Sequence, residues 1–322
     1  MAHPFAAGAA FILAFACAPG AISQSYPSKP IRVVIPYPPG GIHDTVLRLL
    51  QPRLTESLAQ QIVIENRPGA AGNIAAEAVA KSPADGYTLL VATDSLVSSP
   101  QLHRNTSLTT YKEFAPITKL ATYPLAFLCS TVVPAPTLGE LVARAKAMPG
   151  SITVASPGTG TQNHLVAELF KVIAGIDLLH VPYKGAAPAM ADVTAGRVHC
   201  IFMTPAVWMP QVKSGKLKVL AIASAARLPA APDVPTFAES GYPGFEAENY
   251  TGLVAPAATP ASIVERLNQV AIRAIRSPEI QARFNEFGAV AAPTTPSEYL
   301  AFLRREDTRW GKLILERGIQ AE

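Results

Sequence analysis

A chain of 322 residues with 49% hydrophobic and 16% charged residues has the composition of a compact globular protein with room for two domains, which excludes an extended disordered chain. Its formal net charge of +4 is small for this length, and no run of Lys or Arg occurs, which argues against nucleic acid as a partner. Its 30 prolines, about twice average usage, are spread along the chain and cut it into short elements with rigid connections.

Met1 to Ser28 holds no Asp, Glu, Lys or Arg, and an apolar run from Phe5 to Ala18 ends at Pro19-Gly20. That run is too short to span a bilayer, and the Pro-Gly pair stops a helix. It reads as a secretory signal peptide over residues 1–23, with a mature, exported chain beginning near Gln24. A positive leading region is missing, His3 being its one basic residue. Cys17 would suit a lipid anchor, except that Phe15 sits just upstream where small residues are wanted. Export leaves Cys129 and Cys200, which an oxidising compartment would permit to pair, but each lies inside an apolar strand-like run, where a buried free thiol is the commoner state. No His or Cys spacing resembles a metal site, and neither metal nor cofactor is expected.

Val33 to Ile35 is a short β-branched run bounded by prolines, as in a strand covered on both faces. It leads through Pro36-Tyr37-Pro38-Pro39-Gly40-Gly41 into a helix, with Asp44 as its expected N-cap and Val46, Leu47, Leu50, Leu54 and Leu58 on one side. A strand that ends in glycines and opens a helix presents bare N–H groups and a positive dipole end, an anion site in outline. The segment has neither the Walker pattern nor a dinucleotide fingerprint. A strand at Ile62–Ile64, a helix from Ala75 to Lys81 and a strand at Thr88–Ala92 follow, the last ending in Thr93-Asp94-Ser95. Alternating strands and helices specify a parallel α/β sheet whose ligands sit beyond the strands' carboxyl ends.

The extended run from Phe114 to Leu128 leads into a second unit. It starts with a helix at Leu138–Met148 and a strand at Ile152–Ala155. Then Ser156-Pro157-Gly158-Thr159-Gly160-Thr161-Gln162-Asn163-His164 repeats the opening motif. A helix to about Ala195, strands at Cys200–Met203 and Val219–Ala223, and an extended return at Tyr250–Val254 come next. Helices at Ala261–Arg276, Glu279–Phe287 and Ser297–Leu315 close the chain. Two α/β units, the second inserted into the first, make a clamp with a cleft between them, the usual place for a small-molecule site. The groups on offer there are backbone N–H, hydroxyls, Asp44 and His164, which suit holding an anion better than cutting one.

Tyr26-Pro27-Ser28-Lys29-Pro30-Ile31, the Pro36 to Asp44 loop, Glu65-Asn66-Arg67-Pro68-Gly69-Ala70, Asp85-Gly86-Tyr87-Thr88, His180-Val181-Pro182-Tyr183-Lys184-Gly185, Pro232-Asp233-Val234-Pro235-Thr236 and Gly252-Leu253 with Ala255-Pro256 lie in order along nearly the whole mature chain. Together they resemble the Bug-type, or TctC, solute receptors of tripartite tricarboxylate transporters. The resemblance implies a periplasmic, type II Venus-flytrap binding protein of α/β class, with two α/β domains joined by two crossing strands. The domains would be residues 27–122 with 252–322, and residues 123–251. It implies a monomer without catalysis that captures a small carboxylate (a di- or tricarboxylate, an acidic amino acid or an aromatic acid) and passes it to membrane permease subunits.

By the same resemblance the carboxylate meets Tyr37, Pro39, Gly40, Gly41, His43 and Asp44 on one side and Ser156, Gly158, Thr159, Gly160, Thr161 and His164 on the other. Thr93 and Ser95 contribute, and Met203 and Thr204 form a variable wall. Ile42-His43 stands where small or hydroxyl residues are usual, and Pro52 interrupts the first helix. Two other readings compete: an α/β hydrolase with Ser156 or Ser95 as nucleophile and His164 as base, which lacks a G-x-S-x-G elbow, and a ligand-dependent sensor subunit. Arg67 is expected to fix its own turn, Lys184 to be solvated or structural, and Trp208 to edge the cleft more readily than Trp310.

Overall fold

The computed structural model describes residues 26–103, 109–212 and 215–320. The expected leader, with Cys17 and the cleavage point near Gln24, lies outside the described residues. Strand β1 (Ile31–Ile35), helix α1 (Ile42–Leu58), β2 (Ile62–Asn66), α2 (Asn73–Ala80), β3 (Thr88–Ala92) and α3 (Ser95–Leu102) come first, followed by β4 (Phe114–Pro124). A second series runs through β5 (Ala126–Ser130), α4 (Leu138–Ala147), β6 (Thr153–Ser156), α5 (Gln162–Ala174), β7 (Leu179–Pro182), α6 (Ala186–Thr194), β8 (Cys200–Met203), α7 (Pro205–Val212) and β9 (Leu217–Ile222). The chain returns in β10 (Glu248–Pro256) and ends in α8 (Ala261–Ile275), α9 (Pro278–Glu286), β11 (Val290–Ala291) and α10 (Pro296–Arg317).

These strands form two sheets of the same plan. The first has the order β2-β1-β3-β10-β4-β11, with β2, β1 and β3 parallel and β10 antiparallel to β3. The second has the order β7-β6-β8-β5-β9, with β7, β6 and β8 parallel and β5 antiparallel to β8. The apolar runs of β1, β3 and β8 are buried on both faces, as crossover helices require of parallel strands, whereas Val63 on the edge strand β2 is exposed. Val33, Val34 and Ile35 have at most 1% exposure. The second sheet's core is aromatic, with Phe127, Phe170, Phe202, Phe237 and Phe245 in mutual edge or stacked contact.

The chain passes between the sheets where β4 meets β5 and where β9 leads to β10. There Leu125 N–H donates to Ala247 O, and Ala223 N–H to Leu125 O. The long ladder of β10 against β4 carries register shifts at Thr251/Gly252 and Leu253/Val254. Helix α10 is a further connection: Tyr299, Phe302 and Leu303 pack with the first sheet's core, whereas Trp310, Leu313 and Ile314 join the core of the second.

Several local expectations change. Helices α3 and α7 have no counterpart in the sequence reading because each holds an internal proline, Pro100 and Pro210, which breaks the helical pattern on paper. Pro52 likewise sits inside α1 without ending it. The free thiols expected at Cys129 and Cys200 are instead a disulfide. The two residues stand directly opposite on β5 and β8 with Cα atoms 4.0 Å apart, the close-approach position of an antiparallel pair.

Candidate functional site

Helix α1 begins at Ile42 with Gly41, not Asp44, in the N-cap position and no side-chain cap bond. Gly40 takes φ +84°, the left-handed region open to glycine. Its N–H donates to Asp44 Oδ2 at 3.0 Å. Asp44, 3% exposed, also accepts from Arg48 Nε at 2.8 Å and Asn66 Nδ2 at 3.1 Å. Burial opposes its ionisation, but the bonds from Arg48, Gly40 and Asn66 win and hold its carboxyl below the usual range. Asp44 therefore braces the loop from beneath, while the N–H groups of the first helical turn stay without intrahelical partners.

His43 belongs to a buried chain of hydroxyls. Its Nδ1 lies 2.7 Å from Thr251 Oγ1, which lies 2.6 Å from the Tyr123 hydroxyl. Tyr123 is buried and its hydroxyl bonds to Thr251 alone among the described residues, so its proton goes to Thr251. Thr251 then gives its own proton to Nδ1, which leaves the imidazole proton on Nε2 as a donor. Burial pushes His43 down to about 4, so the ring is neutral and stacks on Tyr37 with centroids 5.0 Å apart. Tyr37 in turn reaches Thr93 and Ser95, each at 3.3 Å.

The second unit repeats the strand-to-helix turn with different bracing. Thr161 caps α5, its oxygen accepting from His164 N–H, while its proton goes to Gly158 O at 2.7 Å. Gly160 N–H donates to His164 Nδ1 at 3.1 Å. His164, 6% exposed, stacks on His180 with centroids 3.8 Å apart. Burial first, and His180 second, push His164 down to about 4, which keeps Nδ1 an acceptor. Ser156 is fully buried and lies 2.7 Å from His180 Nε2, not beside His164.

Between the two units lies a cleft of about 650 Å³. It brings together Tyr37, Pro39, Gly41, His43, Ser95, Thr159, Gly160 and Thr161 of the expected residues, and among the described residues no Lys or Arg lines it. Gly40, Asp44, Thr93, Ser156, Gly158, His164, Met203 and Thr204 are not on its wall. Most of these brace it from behind. Thr93 bonds to Tyr37 and Ser95, and Met203 sits behind Asn163, whose Nδ2 donates to Phe202 O at 2.8 Å. The Met203-Thr204 wall is thus a correction: Asn163 stands in front of it and lines the cleft in its place. The imidazole beside Ser156 is His180 rather than the expected His164, and the serine is fully buried and off the cleft wall, so it cannot meet a substrate there as a nucleophile must. Trp208 is buried away from the cleft, and Arg67 pairs with Glu65 at 2.7 Å.

The sequence reading missed Asp94, Gln162, Asn163 and Asn249 on the cleft wall. Asp94 follows β3 between two expected residues, so the rule that ligands lie beyond strand ends could have found it. Among the described residues no group of three or more His, Cys, Asp or Glu is placed to hold a metal, and no helix is long and apolar enough to cross a membrane.

The family profile of the tripartite tricarboxylate transporter family receptor matches residues 46–319. Protein BugT of Bordetella pertussis is 36% identical over 299 residues, covering 92% of this chain and 91% of BugT. The structure of Rpa4515 of R. palustris with adipate superposes with a TM-score of 0.78 at 32% identity, covering 92% of this chain and 99% of that one. MatC of Rhodopseudomonas palustris with bound malate gives 0.73 at 31% identity, covering 90% and 100%.

Proposed function

This chain belongs to the tripartite tricarboxylate transporter receptor family (TctC, Bug), periplasmic solute-binding receptors rather than enzymes, and from that premise we propose that it captures a small carboxylate and delivers it to membrane permease subunits. The observation that carries the reading is the cleft itself: α1 and α5 both begin on its wall, and among the described residues no Lys or Arg lines it. Orphan N–H groups and two positive dipole ends suit a carboxylate, and His43 Nε2–H adds a neutral donor. The adipate and malate held by Rpa4515 and MatC support the same ligand chemistry.

In this reading Tyr37, Pro39, Gly41, His43, Ser95, Thr159, Gly160 and Thr161 face the ligand, and Gly40, Asp44, Thr93, Ser156, Gly158 and His164 hold that wall in shape. Two lobes, residues 27–122 with 252–322 and residues 123–251, close on it as a monomer, with α10 riding on both. An exported chain cut near Gln24 fits the family's compartment. The test is a thermal-shift panel of mono-, di-, tricarboxylic and aromatic acids on the purified mature protein, with the acid recovered afterwards. Saturable stabilisation with the acid unconsumed is expected. Stabilisation by no acid, or consumption of one, would sink the proposal.

A further inference from the structure

Three acceptors on the cleft wall have no donor from another residue. Asp94, at the end of β3, forms no hydrogen bond or ion pair to another side chain among the described residues, and its own backbone N–H is its one donor. Gln162 is 3% exposed, and its Oε1 has no partner. Asn249 Oδ1, on β10, has none either. All three residues line the same cleft, and no Lys or Arg lines it among the described residues. The imidazole of His43 on the same wall is neutral and supplies no charge.

A buried acceptor without a donor costs stability, and a carboxylate without a counter-charge costs more. Gln162 Oε1 and Asn249 Oδ1 are buried acceptors of this kind, Asp94 is a partly exposed carboxylate with no counter-charge among the described residues, and keeping them on one wall makes sense when the ligand satisfies them. A plain dicarboxylate brings only further acceptors and a second negative charge toward Asp94. A hydroxyl brings one donor and no charge. An ammonium brings three N–H donors and the opposite charge in one small group.

We propose that the ligand carries an ammonium group beside its carboxylate, and that Asp94 is the specificity-determining residue that receives it, with the carbonyl oxygens of Gln162 and Asn249 as further acceptors on that wall. The helix ends hold the carboxylate, so the two functional groups of an amino acid are sorted to two kinds of wall. This inference rests on the carboxylate-receptor reading.

The experiment is calorimetric titration of the mature protein at pH 7.5 with matched pairs: succinate and L-aspartate, glutarate and L-glutamate, butyrate and 4-aminobutyrate, with L-malate as the hydroxy-acid arm. In at least one pair the amino acid should bind about tenfold or more tighter than its partner, as one charge-assisted bond allows. Asp94→Asn should bring that ratio to about one. Asp94→Ser, which removes the charge and leaves a small hydroxyl at the N-cap position of α3, should do the same with an unliganded melt no lower than the parent's. Equal or tighter binding of the plain acid in every pair overturns the ammonium assignment while leaving the receptor reading intact. So does a preference for L-malate over both succinate and L-aspartate, or an amino-acid preference that Asp94→Asn leaves unmoved. Binding of none of these acids overturns the carboxylate reading, and this inference with it.

Discussion

Thr251 is a single hydroxyl standing between two others' needs: it takes the proton of Tyr123 and supplies one to His43. Thr251→Val keeps the shape and removes both bonds, leaving a phenol and an imidazole nitrogen buried without partners. A loss of about 1–3 kcal/mol in unfolding free energy is expected, with weaker acid binding because the ring is no longer held. Urea unfolding of the two proteins checks the first part and titration the second. A pH response of acid binding from His43 between about 5 and 8, which its residue type suggests, is not expected, because the folded ring stays neutral across that range; its titration is felt in stability instead. With its folded value lowered to about 4, the ring adds stability at higher pH that is lost as pH falls from about 6.5 through about 4.

Asp94 runs the other way. Burial pushes its carboxyl up to about 6, so the unliganded protein is best served below about 4 and loses stability as pH rises from there through about 6. The groups facing it are Tyr37 and Tyr250, whose ionisation its charge opposes, with His43 and His103 on the same cleft wall. Asp94→Asn should therefore melt higher than the parent at pH 7.5 by at least about 2 °C, with the gap closing near pH 4. A gap that is constant with pH would assign the residue no buried charge. Asp94 stood in plain view after Ala92 on paper. Nothing in one sequence distinguishes a carboxylate that caps its own helix, as Asp was expected to at position 44, from one that opens on a cleft.

At the scale of elements, the two glycine turns do different work. A side chain at Gly41 meets nothing nearer than Pro38 O at 3.7 Å, and φ there is −74°, so Gly41→Val should fold as well as the parent and still lose most acid binding by occupying the cleft wall. Gly160 holds φ +79° and a bond to His164, so valine there costs backbone strain as well. Equal affinities of parent and Gly41→Val, by titration, would remove the α1 loop from the site. The disulfide between β5 and β8 encloses a separation of 71 residues. By chain entropy it contributes about 4 kcal/mol, and replacing both cysteines with alanine should lower the melting temperature by roughly 5–10 °C. Strand runs such as Val33 to Ile35 were legible because burial on both faces leaves a continuous apolar signature. Helices α3 and α7 were not, because Pro100 and Pro210 are tolerated only through tertiary packing. The pairing of Cys129 with Cys200 was not either, since it depends on which two strands are neighbours.

For the whole molecule, the common plan of the two sheets sets the kind of motion available. Each lobe has its own close-packed core, and such cores shift as bodies rather than deform. The links are the β4–β5 and β9–β10 passages, locked together through Leu125, Ala223 and Ala247, and α10. The helix limits the swing: its far end is tied to α5 by Arg317 to Glu168 at 2.8 Å, while Lys171 meets the same carboxylate at 3.0 Å. The register irregularity of β10 at Thr251/Gly252 lies beside the hydroxyl that holds His43, and we propose that a modest rotation of the lobes is centred there. Ligand seating and hinge angle are then mechanically coupled through one residue. Small-angle scattering of the parent should show a smaller radius of gyration at saturating concentration of whichever acid binds. Gly41→Val under the same concentration should keep the unliganded radius, because its cleft cannot seat the acid. An identical radius for the parent with and without bound acid would mean that the lobes do not close, and that capture relies on the pre-formed wall alone.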